Sequence, residues 1–464
     1  MIEDIEYKPI LKEACSRGGE LAELFVEERI QTAIDLEGAR IERVSLGMTR
    51  GAGVRLISGL RTRYAFTNSL LKEDLMKLAK AVSDSANKDA AVLEMPMEYQ
   101  MLGREPVSKI LKAPEDVPVE KKVALMRKVE ESARRYDSRI VQVKLRYFEL
   151  IRTTGIANTD GVLVSDKTTH LIFVVQVIAA QDREIQTAYE SIGGTIGWEI
   201  FEKEQPEALA LKTAKRAIMM LEARKAPGGR MPVVLSADAG GTMIHEAIGH
   251  GLEADLAEQG LSVYQNKLGQ QIASKLVSVV DDKTIPNKRG SYNFDDEGTP
   301  AERTVLVENG VLKNYMYDRL EALRAGKKST ANGRRESYRF RPICRMSNTM
   351  ILPGKTHPSE IIKSVDRGLL VKKMGGGQVD TVSGDFVFEV SEGYLIENGE
   401  QAEPVRGATL VGNGPKILQE IDMVGNDLGF GIGTCGKDGQ GAPVADAQPS
   451  LRIPEIIVGG EIYR

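Results

Sequence analysis

The chain has 464 residues, 62 of them basic and 66 acidic, for a formal charge of −4, and 42% are hydrophobic. That balance carries no global signature of nucleic-acid binding. The longest apolar run, from Leu171 to Ala180, is too short and too β-branched to span a membrane. Three scattered cysteines, Cys15, Cys344 and Cys435, make no disulfide framework, and the acidic start lacks the apolar core of a signal peptide. The expectation is a soluble cytoplasmic protein of about two or three domains.

Residues 8–17 read as a short helix and 21–46 as strands, because apolar runs there alternate with polar positions. The blocks 53–57 and 62–67 bracket a Ser-Gly-Leu turn and predict a hairpin. A helix follows over 74–85, and 92–117, rich in Pro, Met and Glu, reads as connection. A helix over 121–136 precedes strands at 140–152, 161–164 and 168–180, with Asn158-Thr159-Asp160-Gly161 as the first turn. The glycines of 191–198 lack a βαβ context, so they read as a turn in a sheet rather than a nucleotide loop. A helix over 208–223 ends at Pro227-Gly228-Gly229. Beyond it, strands are expected at 231–235 and 276–280, and Asn309-Gly310 and Asn398-Gly399 mark hairpin turns. This pattern gives an α+β protein: two N-terminal α+β modules, 1–110 and 118–225, and a glycine-rich, sheet-containing C-terminal catalytic domain over 230–464.

Two of the four histidines, His245 and His250, lie five residues apart, with Glu246 directly after the first. Two imidazoles beside a carboxylate suit a hydrolytic zinc site: two neutral nitrogen ligands and a base for water. The usual i, i+4 spacing is missing, and an ideal α-helix would set i and i+5 roughly 140° apart. Two repairs are open. A π-bulge brings i+5 around, or the helix ends near Gly249 and His250 swings back from a turn. The favoured reading is a helix over 241–248 distorted at Gly249, with Gly249 and Gly251 removing side chains that would resist.

A third ligand is sought among the cysteines. Cys435, with glycines close on both sides, completes a His-His-Cys zinc set and leaves a fourth position for water; a buried inert thiol or a nucleophile are its competing readings. Cys15 and Cys344 are weaker candidates, and His170 and His357 read as structural or exposed. Lys437 either tunes the thiol, orients a carbonyl or is simply solvated. Asp295, Asp296 and Glu297 are candidates for orienting a ligand histidine, against a solvated turn. Arg334 and Arg335 suit a substrate carboxylate or a salt bridge. Gly375-Gly376-Gly377-Gln378 suits close approach of a substrate backbone or a mobile surface loop.

With these segments in hand the chain resembles the TldD/PmbA metalloprotease family, in its metal-bearing, TldD-like branch. The resemblance covers most of the chain. It is carried by the 245–253 stretch, Asp295-Asp296-Glu297-Gly298-Thr299-Pro300, the 332–338 stretch, the 375–380 stretch and the Cys435 loop. The family's His-Glu-x-x-x-His motif falls on His245, Glu246 and His250, and its later cysteine ligand falls on Cys435. The resemblance implies a zinc-dependent endopeptidase of small or unfolded polypeptides, enclosed at a dimer interface. The dimer is either a homodimer or a heterodimer with a TldE/PmbA-like subunit. The rival class is a peptide-binding chaperone or assembly partner whose metal is structural.

Overall fold

The protein is described from a computed structural model that covers residues 2–86, 93 and 95–461. The 92–117 connection therefore lies partly outside the described residues. Seven strands form the first sheet: β1 (Leu21–Glu37), β2 (Arg40–Ile57), β3 (Thr62–Thr67), β4 (Gln100–Leu102), β5 (Ile140–Asn158), β6 (Val162–Gln181) and β7 (Glu184–Gly194). Their order is β3-β2-β1-β5-β6-β4, with β7 also on β6. The predicted 53–57/62–67 hairpin is the β2–β3 pair. Asn158 makes the β5–β6 turn by accepting the N–H groups of Asp160 and Val162. The strands expected at 161–164 and 168–180 are one strand, β6, paired with β5 along almost its whole length.

The two N-terminal modules share this sheet, because the long strand β1 pairs β2 on one edge and β5 on the other. Each still has a core of its own. Helices Tyr7–Ala14 and Lys72–Asp84 cover one end, where Leu24, Val26, Val54, Leu56 and Leu75 are buried together. Helices Val119–Arg134 and Pro206–Glu222 cover the other, over Val143, Tyr147, Phe173, Val175 and Ala214. Periodicity identifies each strand but not which distant strand lies beside it.

The C-terminal part holds two larger sheets. In one, Arg367–Val379, Gly229–Leu235, Leu451–Gly459, Thr409–Asn413 and Asp385–Glu397 pair in that order, and the last pairs back to the first, closing a ring. The other runs Val311–Leu312, Arg303–Glu308, Val279–Asp282, Asn348–Ile351, Gln440–Gln448, Gly429–Lys437. Both expected Asn-Gly hairpins form. Asn309 and Gly310 have φ of 48° and 80°, Asn398 and Gly399 of 53° and 77°, the left-handed pair that a two-residue turn of this kind demands. The strand expected over 276–280 begins only at Val279.

Gly375, Gly376 and Gly377 differ from expectation. They lie inside the Arg367–Val379 strand, at a register break against Asp385–Glu397, and are not a loop. A Cβ on Gly377 would fall 1.9 Å from the Phe388 ring, whereas one on Gly376 would meet nothing. Packing of Phe388 thus accounts for one of the three glycines without any substrate.

Candidate metal centre

The chain leaves the Gly229–Leu235 strand, turns through Gly240 at φ +72°, and starts a helix at Thr242–Ile244. From His245 to Gly249 the helix is π, and His250–Leu252 is a 3₁₀ turn. The i→i+5 winding sets residue i+5 beside residue i. The His245 and His250 rings accordingly lie 4.9 Å apart, edge to face. Of the two repairs, the π-bulge is the one adopted, and the favoured reading of an α-helix distorted only at Gly249 is corrected. Gly249 has ordinary right-handed angles, φ −56° and ψ −58°. Its role is space: a Cβ there would sit 2.1 Å from the Met346 sulfur. The Tyr264 hydroxyl donates to the Ala247 carbonyl at 2.9 Å, fastening the π turn.

The third side chain arrives from the Gly429–Lys437/Gln440–Gln448 hairpin. Cys435 pairs with Ala442, and Gly431 with Asp446. Strand side chains alternate with period two, so Cys435, Lys437 and Asp446 project from one face and Thr434 from the other. The Cys435 sulfur lies 3.3 Å from His245 Nε2 and 3.4 Å from His250 Nε2. One ligand atom from each of the three falls within 4.8 Å of the others.

Each imidazole is held at its second nitrogen. His245 Nδ1 is 2.7 Å from Asp446 Oδ1, and His250 Nδ1 is 3.0 Å from Glu253 Oε2. Lys437 braces Glu253 at 2.9 Å and Asp255 at 2.6 Å, and is nearly buried. It neither touches the sulfur nor is solvated. Burial alone would lower both imidazoles, but Asp446 and Glu253, with Cys435, outweigh it and raise them. Burial alone would raise the Cys435 thiol, and the two imidazoles instead bring it down to about 5. A thiolate and two imidazoles backed by carboxylates fit a zinc-type divalent ion. Glu246, on the same π turn, is partly buried, and burial raises its carboxyl against the opposing pull of His245 and His250.

Similarity to known proteins extends over most of the chain. The description "PmbA/TldA metallopeptidase domain 1" matches residues 22–86, "central domain" 112–221 and "C-terminal domain" 228–460. The chain belongs to the PmbA/TldD family. The metalloprotease TldD homologue of Haemophilus influenzae is 38% identical over 96% of this chain and 94% of its own length. The zinc metalloprotease TldD homologue of Saccharolobus solfataricus is 25% identical over 97% and 99%. The fold matches that of TldE from Thermococcus kodakarensis at a TM-score of 0.77 and 17% identity, over 98% of this chain and all of that one. This PmbA/TldD member is a metallopeptidase.

Several expected site residues have other partners in this PmbA/TldD chain. Asp295, Asp296 and Glu297 do not hold a ligand histidine; Asp446 and Glu253 do. Asp295 accepts the N–H groups of Glu297, Thr299 and Gly333. Asp296 pairs with Arg152 at 2.7 Å. Glu297 pairs with the fully buried Arg55 and accepts the N–H of Arg319. Arg334 and Arg335 are buried rather than on an exposed surface. Arg335 pairs with Glu23 of β1 at 2.5 Å, and Arg334 donates to the Met346 carbonyl at 2.6 Å. With Tyr338 N–H on Glu27, the 332–338 stretch fastens the C-terminal part to the first sheet. Cys344 is buried, and its sulfur accepts the Asp318 N–H. His357 caps the Pro358–Lys363 helix. Glu253 lay in view within the histidine stretch, whereas Asp446 carries no local signal. Among the described residues no helix is long and apolar enough to cross a membrane.

Proposed function

We propose that this metallopeptidase is a zinc-dependent endopeptidase that cuts small or unfolded polypeptides. In this reading His245, His250 and Cys435 hold the ion and Glu246 is the general base. The observation that carries the reading is the π turn, which bears Glu246 and brings two imidazoles together on one cysteine sulfur. When bound, zinc supplies Lewis acidity that polarises a peptide carbonyl and makes water a stronger acid. The chain supplies the rest. Asp446 and Glu253 occupy the Nδ1 atoms, so both Nε2 atoms face the thiolate. Glu246 takes a proton from the attacking water at its carboxylate and returns it to the leaving amine. Burial raises its carboxyl, which strengthens the carboxylate as a proton acceptor.

An unpaired strand edge supports an extended substrate. The Arg367–Val379 strand pairs with Gly229–Leu235 only through Val371, which leaves the edge of Lys372–Val379 without a strand partner among the described residues. This edge opens where Leu235 departs toward the histidine turn. A peptide added there is read through its backbone, with weak side-chain selectivity. The working unit in this proposal is a cytoplasmic dimer, with a second copy or with a TldE/PmbA-like subunit.

Metal content and cleavage of an unstructured peptide, measured together, test the proposal. Wild type and Glu246→Gln are expected to hold zinc, only wild type to cleave, and Cys435→Ala to lose the metal. Wild type that holds zinc and binds the peptide stoichiometrically, yet cuts nothing even with a TldE-like subunit added, would support a peptide-binding partner with a structural metal instead. Full activity in Glu246→Gln would remove the base assignment.

A further inference from the structure

A second feature lies across the sheet from the metal trio. Where the first sheet meets the C-terminal part there is a cavity of about 290 Å³. Arg29, Arg152 and His170, from β1, β5 and β6, line one side; Arg289, Arg334 and Arg335 line the other. Five guanidinium groups around one cavity are costly to bury unless each is paired.

Two of them are paired. Arg152 meets Glu27 and Asp296, and Arg335 meets Glu23. The other three have no carboxylate within ion-pair distance among the described residues. Arg29 donates to the Glu336 carbonyl at 3.1 Å. Arg334 has the Met346 carbonyl and the face of Tyr292. Arg289 donates to the Gly433 carbonyl at 2.9 Å and to Thr434 Oγ1 at 3.0 Å. Burial holds Arg289 down at about 10, with Arg334 adding to the effect.

Five buried nitrogens on this wall have no hydrogen-bond partner among the described residues: Arg29 Nε, Arg152 Nη2, Arg289 Nη1, Arg335 Nε and His170 Nδ1. Arg289 is only 5% exposed and His170 7%. Of the acidic groups of the wall, Asp296 is ion-paired and the others accept hydrogen bonds from amide N–H groups. Besides Asp295 and Asp296, described above, Glu336 accepts the Gly441 N–H and Asp166 accepts the Asn293 amide. Water would satisfy the N–H groups but would leave three unpaired cations.

We propose that this cavity binds a small oxyanion, a phosphate- or carboxylate-bearing molecule, held by Arg29, Arg289 and Arg334 with the free N–H groups of Arg152 and Arg335. Guanidinium forks suit such oxygens. The site is separate from the metal centre. Thr434 lines the cavity on one face of the hairpin strand while Cys435 faces the metal from the other. Arg289 links the two, because it grips the Gly433 carbonyl and the Thr434 hydroxyl on the strand that carries Cys435. The anion therefore fastens the first sheet to the strand that carries the metal thiolate.

The test is thermal unfolding and calorimetry of the full chain with inorganic phosphate and, separately, with succinate, at ionic strength held constant with chloride. Wild type and Cys435→Ala are both expected to show saturable stabilisation by at least one of the two, which excludes binding to the metal. Arg29→Gln and Arg289→Gln are expected to weaken it about tenfold, the loss of one charge-assisted contact. A larger response to phosphate or to succinate tells which head group the site takes. No response to either, or a response in both arginine variants equal to that of wild type, overturns the proposal. If Arg289→Gln fails to fold, Arg29→Gln and a selenate-soaked crystal decide: an anomalous peak within the cavity supports the site, and peaks only elsewhere defeat it.

Discussion

His245 and Asp446 are 201 residues apart in sequence and 2.7 Å apart in space. The three residues His245, Glu246 and His250 stood out because they lie close together in the sequence and histidine is scarce. Cys435 drew attention as a soft side chain with glycines close by, and the structure brings its sulfur to both imidazoles. Asp446 did not stand out, because an aspartate on a strand looks the same whether it faces water or an imidazole. The acidic run at Asp295, Asp296 and Glu297 drew attention through its density, yet its charges answer Arg152, Arg55 and five backbone N–H groups. The two assignments separate experimentally. Asp446→Asn is expected to lower zinc affinity about 10- to 100-fold, the usual effect of losing a carboxylate behind a ligand histidine. Asp295→Asn is expected to leave it unchanged. Competition against a chelator of known affinity measures both, and the reverse ranking would reinstate the acidic run as the histidine partner.

At the scale of the element, the spacing of the histidines announced a departure from an α-helix without saying which. The deciding information is tertiary. Gly241, Gly249 and Gly251 each lie against a neighbour that leaves no room for a Cβ. Those neighbours differ in how far they can yield. A Cβ on Gly241 would lie 2.4 Å from the Ala447 nitrogen and the Asp446 carbonyl carbon, both backbone atoms of a central strand. The one on Gly249 meets the end of a flexible methionine. Gly241→Ala is therefore expected to push the helix start off the strand, costing roughly 1–3 kcal/mol and weakening metal retention although no ligand is altered. Gly249→Ala is expected to do less of both, because Met346 can swing aside. Urea midpoints and zinc content of the two variants check the order. Equal losses would mean that the π turn, rather than its seat on Asp446, sets the geometry.

Across the whole molecule, local pattern named most strands and helices before Gly229 and fewer after it, and the assembly depends on pairings that local pattern does not encode. β1 joins β5 across more than a hundred residues, and Arg335 reaches Glu23 across 312. The N-terminal modules therefore appeared separate in sequence and are joined by a shared sheet. A second joint of this kind is Glu190 on β7. It pairs with Arg216 of the Pro206–Glu222 helix at 2.6 Å and with Lys373 of the Arg367–Val379 strand at 3.2 Å, so one carboxylate ties the central module to the C-terminal ring. Burial alone would raise its carboxyl, but Lys373, Arg216 and Lys212 outweigh that and hold it at about 2, below the ordinary 4.5. A carboxyl depressed in the folded state stabilises fully above its unfolded pKa, and that contribution drains away as the pH falls through the folded one. Here the window runs from 4.5 down to about 2, and the contribution above it is on the order of 2–3 kcal/mol. Glu190→Gln is thus expected to unfold earlier than wild type at pH 6, with the gap closing as the pH approaches 2.5. Chemical unfolding of both proteins across that range measures it. A gap that stays constant with pH would assign the loss to packing and not to the charge of Glu190.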